Sequence, residues 1–403
     1  MKFRYVFPIL SLLFAVSSCS FSQKETISEI KTSKSTIKKI EFTETTPNTE
    51  KSTAATTVSE EEDEDDTTFS DMESFIEYMR ECVDNRMTDI TASFTDDFIP
   101  SLKEIVVYAN FPYLNAEIRR YGEGRADGIY TTELYPGTKI ADAYLNGDTS
   151  SLSDEELKVY DIAAKIVDEA KAFGSPLEAE RYIHDSICNA TNYCDIKENK
   201  VMSRYSTAVG VFIDGLANCQ GYADAFCMLA AMYGFEADKL SGIAAEAEHV
   251  WNIIKLDGEW YSVDVCWDDN VFATSERDYI QYYYFNAPTE IMRGDHVWND
   301  MATPYSLKKK IDENYFYYGE NINGFGLSSD SLTEAVEYCA EGLINGTKEI
   351  NIMAPYGEEY DTAEELCDGI NLYITEKEVA HRIQYNAYVK NIGDYTYLYV
   401  ELT

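Results

Sequence analysis

From His249 to Trp267 the chain reads HVWNIIKLDGEWYSVDVCW, two runs rich in β-branched and aromatic residues on either side of Asp257-Gly258. An Asp-Gly pair between strand-like runs selects a two-residue turn with positive φ at both central positions, and such a turn fixes the register of everything it joins. Closing it sets Leu256 opposite Glu259. Counted outward, Trp251 then faces Asp264 and His249 faces Cys266. Directly opposed side chains share a face, as do residues two apart along a strand, so His249 and Asp264 become diagonal neighbours. A histidine with an acidic neighbour on one hairpin face is placed as an oriented base.

The second pattern lies upstream, in Gly215-Leu-Ala-Asn218-Cys219-Gln220-Gly221-Tyr222. Asn218 is a good N-cap, and Tyr222, Phe226, Leu229 and Tyr233 then recur on one helical face until Gly234. Cys219 falls in the first turn, where unpaired N–H groups and the helix dipole favour a thiolate. Cys227, two turns on, reads as an ordinary buried cysteine. Cys219, His249 and Asp264 are thus a nucleophile, a base and a carboxylate to hold the base. Elsewhere the signals are weak. His184 and His381 have no evident partner set, and Gly122-Glu-Gly124 lacks the strand-to-helix setting of a nucleotide loop. The nine cysteines contain no CxxC spacing, so neither a structural zinc nor any other metal or cofactor is expected.

CQGYADAF, HVWN and LDGEWYSVDVCWDD resemble, in this order, three blocks of the transglutaminase-like superfamily, papain-related cysteine enzymes with a Cys-His-Asp triad. Cys219, His249 and Asp264 stand in the motif positions. Tyr205–Gly210 before the Cys block fits as well, as does YYYFN (282–286) ahead of His296, so the resemblance spans roughly 155–305. It implies an α+β core in which a Cys-bearing helix packs on an antiparallel sheet bearing the His and Asp. It also implies acyl transfer through a thioester, with water making a peptidase or amidase and an amine making a transamidase. Gln220 and Tyr193 are candidate oxyanion donors beside the Cys219 N–H, and Trp251 and Trp267 either wall a cleft or pack the core. Cys266 stands where the family more often has Thr. Facing His249, it would either fill that slot or form a reversible disulfide with Cys219. The superfamily also contains proteins without catalysis, so the alternative is a silent scaffold serving as a cell-surface binding protein.

Helix signals at Ser153 (capping box with Glu156) and Ser175-Pro176 precede the strands, so 151–308 reads as the catalytic domain. Residues 70–150 and 309–403 read as two small α/β modules. Tyr78, Glu81, Asn85 and Ile90 recur at a constant interval as Tyr338, Glu341, Asn345 and Ile350, which suggests a repeat. A packing or docking role is the expectation for both.

At the N-terminus, Lys2 and Arg4 precede an apolar run, Val6–Val16, too short to span a membrane as a mature helix. Val16-Ser17-Ser18-Cys19 resembles a bacterial lipobox. By that resemblance 1–19 is a lipoprotein signal and Cys19 is diacylated, and two acyl chains suffice for stable anchoring. Residues 20–69 are rich in Ser, Thr and Glu and run into seven consecutive acids, Glu60–Asp66, the composition of an unfolded tether. The protein is then exported and lipid-anchored on the outer face of a bacterial membrane, with envelope or secreted proteins and peptides as substrates. The net charge of −39 stays strongly negative when 1–70 is set aside, which excludes a phosphate-backbone binder: no nucleic acid is expected.

Overall fold

The computed structural model describes residues 15–20, 67–106, 108–109, 111–122, 124–194, 202–245, 247–269, 280–298, 306–307, 327–328, 331–357, 360, 362–379, 381–392 and 395–403. Strand β1 (Ala15–Ser20) pairs far along the chain and is taken up below. The first unit then runs β2 (Thr67–Phe69), α1 (Met72–Asp84), β3 (Thr91–Phe94), α2 (Leu102–Val106), β4 (Leu114–Arg119) and β5 (Gly128–Leu134). Asp71 starts α1 by accepting the Ser74 N–H at 2.9 Å. The helix then buries Phe75, Ile76, Met79 and Cys82 on a sheet of order β2-β3-β5-β4.

The central unit begins earlier than its helix signals indicate. Helix α3 (Pro136–Asn146), assigned by sequence to the first module, buries Ile140, Ala141 and Ala143 in the central core. Helix α4 (Asp154–Ala170) opens with both halves of the Ser153–Glu156 capping box in place. Helix α5 (Pro176–Cys188) opens with Ser175 taking the Glu178 N–H. A short parallel pair, β6 (Asn192–Tyr193) and β7 (Leu216–Ala217), leads to α6 (Cys219–Tyr233), which Gly234 ends at φ 111°. Helix α6 is apolar on nearly every side because helices and sheet enclose it. Phe226 and Leu229 are wholly buried, each a contribution of roughly 1.5–3 kcal/mol.

Beside α6 lies an antiparallel sheet of order β10-β9-β8-β11, formed by β8 (Glu236–Ala244), β9 (Ala247–Leu256), β10 (Glu259–Val263) and β11 (His296–Val297). Helices α7 (Val265–Asp268) and α8 (Thr289–Met292) fall between β10 and β11. Asp257 and Gly258 adopt φ 49° and 87°, the paired positive values the turn needs, and Leu256 faces Glu259. That register continues only to Asn252–Val263, with consequences for Cys266 given below.

The last unit runs β12 (Leu327–Ser328), α9 (Leu332–Ile344), β13 (Glu349–Pro355), α10 (Ala363–Glu376), β14 (Gln384–Ile392) and β15 (Tyr395–Leu402). Its sheet order, β12-β13-β15-β14, matches β2-β3-β5-β4 strand for strand, with the same parallel and antiparallel pairings. The caps match too: Asp71 and Ser331 open the first helices, and Asn85 and Asn345 close them. Strand β14 alternates between two cores. Tyr385, Ala387 and Val389 face α9 and α10, whereas Tyr388 faces the central unit. Tyr388, Tyr397 and Tyr399 join Trp251, Tyr283, Tyr284 and Trp298 in one aromatic core that fuses the last unit to the central one. Strand β1 covers the outer edge of β14. No described helix is long and apolar enough to cross a membrane.

Candidate active site

Helix α6 starts at Cys219 because Asn218 leaves helical geometry (φ −95°, ψ 178°) and accepts the Gly221 N–H at 3.2 Å. Asn218 is itself anchored. Its Nδ2 donates to Ser206 Oγ at 2.8 Å, and its N–H donates to the Tyr205 carbonyl at 2.9 Å. Gly221 passes that carbonyl so closely that a Cβ would stand 2.5 Å from its oxygen. The helix start is thereby pressed onto the 205–207 segment, and Cys219 is left half-buried in a first turn whose N–H groups lie outside the helical ladder.

His249 sits on β9 opposite Gly242 of β8. Its Nε2 lies 2.7 Å from Asp264 Oδ2, and the Cys219 thiol lies near enough to act on the ring's charge. With Nε2 taken by the carboxylate, Nδ1 is the nitrogen left to serve the sulfur. Burial alone would push the imidazole down. The Asp264 carboxylate and the Cys219 thiol push the other way and win, raising it to about 10.

Asp264 is fully buried and does not belong to β10. Its Oδ1 accepts the Trp267 N–H at 3.1 Å, which caps α7 and turns the chain out of the sheet. Its Oδ2 faces two imidazoles, His249 at 2.7 Å and His296 at 3.0 Å. Burial raises such a carboxyl, but the two rings outweigh it and hold Asp264 well below the ordinary carboxylate range. The pair expected from diagonal strand positions therefore forms through a helix cap.

The same cap overturns the expected placement of Cys266. It lies inside α7, not across from His249, because the ladder stops at Val263. Cys266 and Cys219 are both free thiols, and burial pushes Cys266 well above the ordinary thiol value. Of the two readings for Trp251 the core one holds: fully buried, it stacks 5.9 Å from His249 and meets His296 edge-on at 5.0 Å. Trp267 packs 5.3 Å from His249 and 4.6 Å from His296. Gln220 carries a buried Nε2 without a hydrogen-bond partner among the described residues, and Tyr193 is exposed on β6, paired with Ala217.

Sequence reasoning passed over His296 as a site residue. It lies on β11, which Gly242 lets ride close over β8: a Cβ there would stand 2.3 Å from the Val297 carbonyl oxygen. Its Nδ1 faces Asp295 Oδ1 at 2.7 Å, so the ring bridges two acids. The adjacent Asp295-His296 pair was the available signal. His249, Asp264 and His296 each offer one donor atom within 4.8 Å of the others, a spacing that could hold one divalent ion. Here both imidazole nitrogens are engaged by the Asp264 oxygen.

His184, which seemed partnerless, proves to have a full set. Its Nδ1 faces Asp185 at 3.0 Å and its Nε2 faces Asp268 at 3.3 Å, while Tyr282 donates to Asp185 at 2.9 Å. This buried cluster joins α5 to α7 behind the site. His381 is exposed.

A helix-borne thiol facing a sheet-borne imidazole and a buried carboxylate defines a thiol-imidazole-carboxylate class of site. Residues 160–265, which include Cys219, His249 and Asp264, match the family model of the Transglutaminase-like superfamily; the chain carries a transglutaminase-like domain in a mixed α+β fold. The chain is 26% identical over 277 residues to Kyphoscoliosis peptidase of Homo sapiens, covering 56% of this chain and 41% of that protein. It is 24% identical over 200 residues to Kyphoscoliosis peptidase of Mus musculus, covering 44% and 29%. It thus spans less than half the length of these curated relatives. A crystal structure of a TGase matches 50% of this chain and 59% of its own at 16% identity, with a TM-score of 0.25.

Proposed function

We propose that the chain is a cysteine enzyme that acts on amide bonds of proteins or peptides through a thioester at Cys219. The observation that carries this reading is His249, held at 2.7 Å by Asp264 Oδ2 with the Cys219 thiol close enough to raise its affinity for a proton. Attack by the thiolate forms a C–S bond. As the C–N bond breaks, His249 Nδ1 gives its proton to the departing amine. Asp264 keeps a proton on Nε2, so Nδ1 is free to take the thiol's proton and later pass it on. The Cys219 N–H at the start of α6 is one oxyanion donor, and the unpartnered Nε2 of Gln220 beside it is the candidate second.

Hydrolysis is the favoured outcome, in keeping with the peptidase name of the relatives. Lipid attachment at Cys19 would place the enzyme on the outer face of a bacterial membrane. Processing there would remove the first four residues of β1. The reading is tested by incubating wild type and Cys219→Ala with a denatured protein mixture and a biotinylated amine. New amino termini support a peptidase and biotin incorporation a transamidase. Neither exceeding the Cys219→Ala background would leave a silent scaffold.

A further inference from the structure

We propose that the last unit completes the active site: Lys390 of β14 is a positioning residue that holds Asp295 and His296 against Asp264 through the Tyr284 hydroxyl. This rests on the catalytic reading above and extends it to a unit outside the matched domain.

The placement follows from strand parity. Lys390 lies two residues beyond Tyr388, hence on the face of β14 that enters the aromatic core shared with the central unit. An apolar residue would be the ordinary occupant of that position. Burying an ammonium there is costly unless it is paired. Lys390 is buried, and its Nζ donates to Tyr284 Oη at 2.6 Å. Tyr284 Oη donates in turn to Asp295 Oδ2 at 2.5 Å. Asp295 Oδ1 meets His296 Nδ1 at 2.7 Å, and His296 Nε2 meets Asp264 Oδ2 at 3.0 Å, the oxygen that also engages His249. Every link is a hydrogen bond of ordinary or short length, and a hydroxyl that both accepts and donates lets the row run unbroken from β14 to the base.

The surroundings fit a charge placed for its field. Tyr283 and Tyr284 turn their rings towards Nζ at 4.5 and 4.3 Å, and Trp267 at 5.8 Å. The acids acting on it are Asp295 from the 281–298 segment, Asp268 from α7 and Asp264 at the α7 cap. Burial pushes the ammonium down to about 8 against the pull of these acids, so it is charged where a thiolate–imidazolium pair would form. Its positive charge favours the thiolate, and its hydrogen bond to Tyr284 keeps Asp295 aimed at His296.

The test uses the full chain and iodoacetamide. The rate of Cys219 alkylation from pH 4 to 9.5, normalised to its alkaline plateau, is followed by mass spectrometry. Wild type, Lys390→Met, Tyr284→Phe and the double variant are compared, with His249→Ala as reference. Lys390→Met should move the midpoint of the acid limb upward by roughly half to one pH unit. A shift of that size is what a unit charge on the order of 10 Å from a titrating group produces at an effective dielectric of about 20–40. Tyr284→Phe, which keeps the ring and its packing, should move it the same way, and the double variant should move it no further than the larger single shift. A purely structural lysine would lower the melting temperature and leave the midpoint in place. Unmoved midpoints in both single variants, or shifts that add, overturn the proposal. If wild type has no acid limb, or His249→Ala leaves it unchanged, the catalytic reading falls and this proposal with it.

Discussion

Replacing Asp264 by Asn tests the site at its most constrained atom. The substitution keeps size and can keep the Oδ1 bond to the Trp267 N–H, but it turns one side of the group into a donor. Oδ2 sits 2.7 Å from His249 Nε2 and 3.0 Å from His296 Nε2, so the amide N–H would face at least one nitrogen that now donates. His249 can restore a hydrogen bond by moving its proton to Nδ1. That tautomer presents an N–H to the sulfur and no longer accepts its proton. Cys219 then has no base to take its proton, and a free thiol of pKa ~8.5 is only about 0.3% thiolate at pH 6. The normalised alkylation rate of Cys219→carbamidomethyl conversion at pH 6 should therefore fall to about that fraction of its alkaline plateau, and amide turnover should fall by roughly 10³–10⁴-fold, as for other triads given the wrong tautomer.

Stability should fall too, by about 3–5 kcal/mol, because one half of a buried ion pair is removed. The window follows from the directions of the shifts. Asp264 is depressed, so its contribution is present above the unfolded carboxyl value of ~3.9 and is lost as pH falls through the folded value. His249 is raised, so its contribution is present below ~6.5 and is lost as pH rises through about 10. The urea-unfolding gap between wild type and variant should be widest near pH 5.5 and close at both extremes. An alkylation profile and a stability gap indistinguishable from wild type would refute the triad.

Glu180→Gln should stabilise the protein by on the order of 2–4 kcal/mol at pH 8.5 and by little at pH 4.5 in chemical unfolding. Glu180 is wholly buried, burial lifts it to about 8, and its Oε1 has no hydrogen-bond partner among the described residues, so the native state is penalised as pH rises from about 4.5 to that value. Gly221→Ala should cost about 1–3 kcal/mol and slow Cys219 alkylation, because its Cβ would meet backbone, the Tyr205 carbonyl at 2.5 Å. Intact thermal stability and reactivity would show that the helix start is not pressed onto 205–207. Cys266→Thr should leave Cys219 alkylation within a few-fold of wild type, since the thiol is buried in α7 and not opposed to His249. A collapse of alkylation would show a direct role.

What the sequence determined by itself was local. Asp257-Gly258 set the hairpin register, Asn218 and Gly234 bounded the Cys-bearing helix, and the Ser153–Glu156 box opened α4, each through chemistry complete within a few residues. Cys219, His249 and Asp264 were legible because a first-turn thiol and a patterned hairpin are local signals. Where reasoning by strand parity ran past Val263 it failed, since a single hydrogen bond from the Trp267 N–H to Asp264 ended the strand and carried Cys266 away. His184 and His296 each showed only an adjacent aspartate and Lys390 showed nothing, because the partners that tie them into the site lie on other elements: Asp268 on α7, Asp264 at its cap, and Tyr284 from 106 positions earlier in the chain. A buried charge is tolerated only where packing delivers its counter-group, and which groups meet is decided when the sheets and helices dock. Tertiary structure alone therefore made a lysine of the last unit a neighbour of the catalytic row.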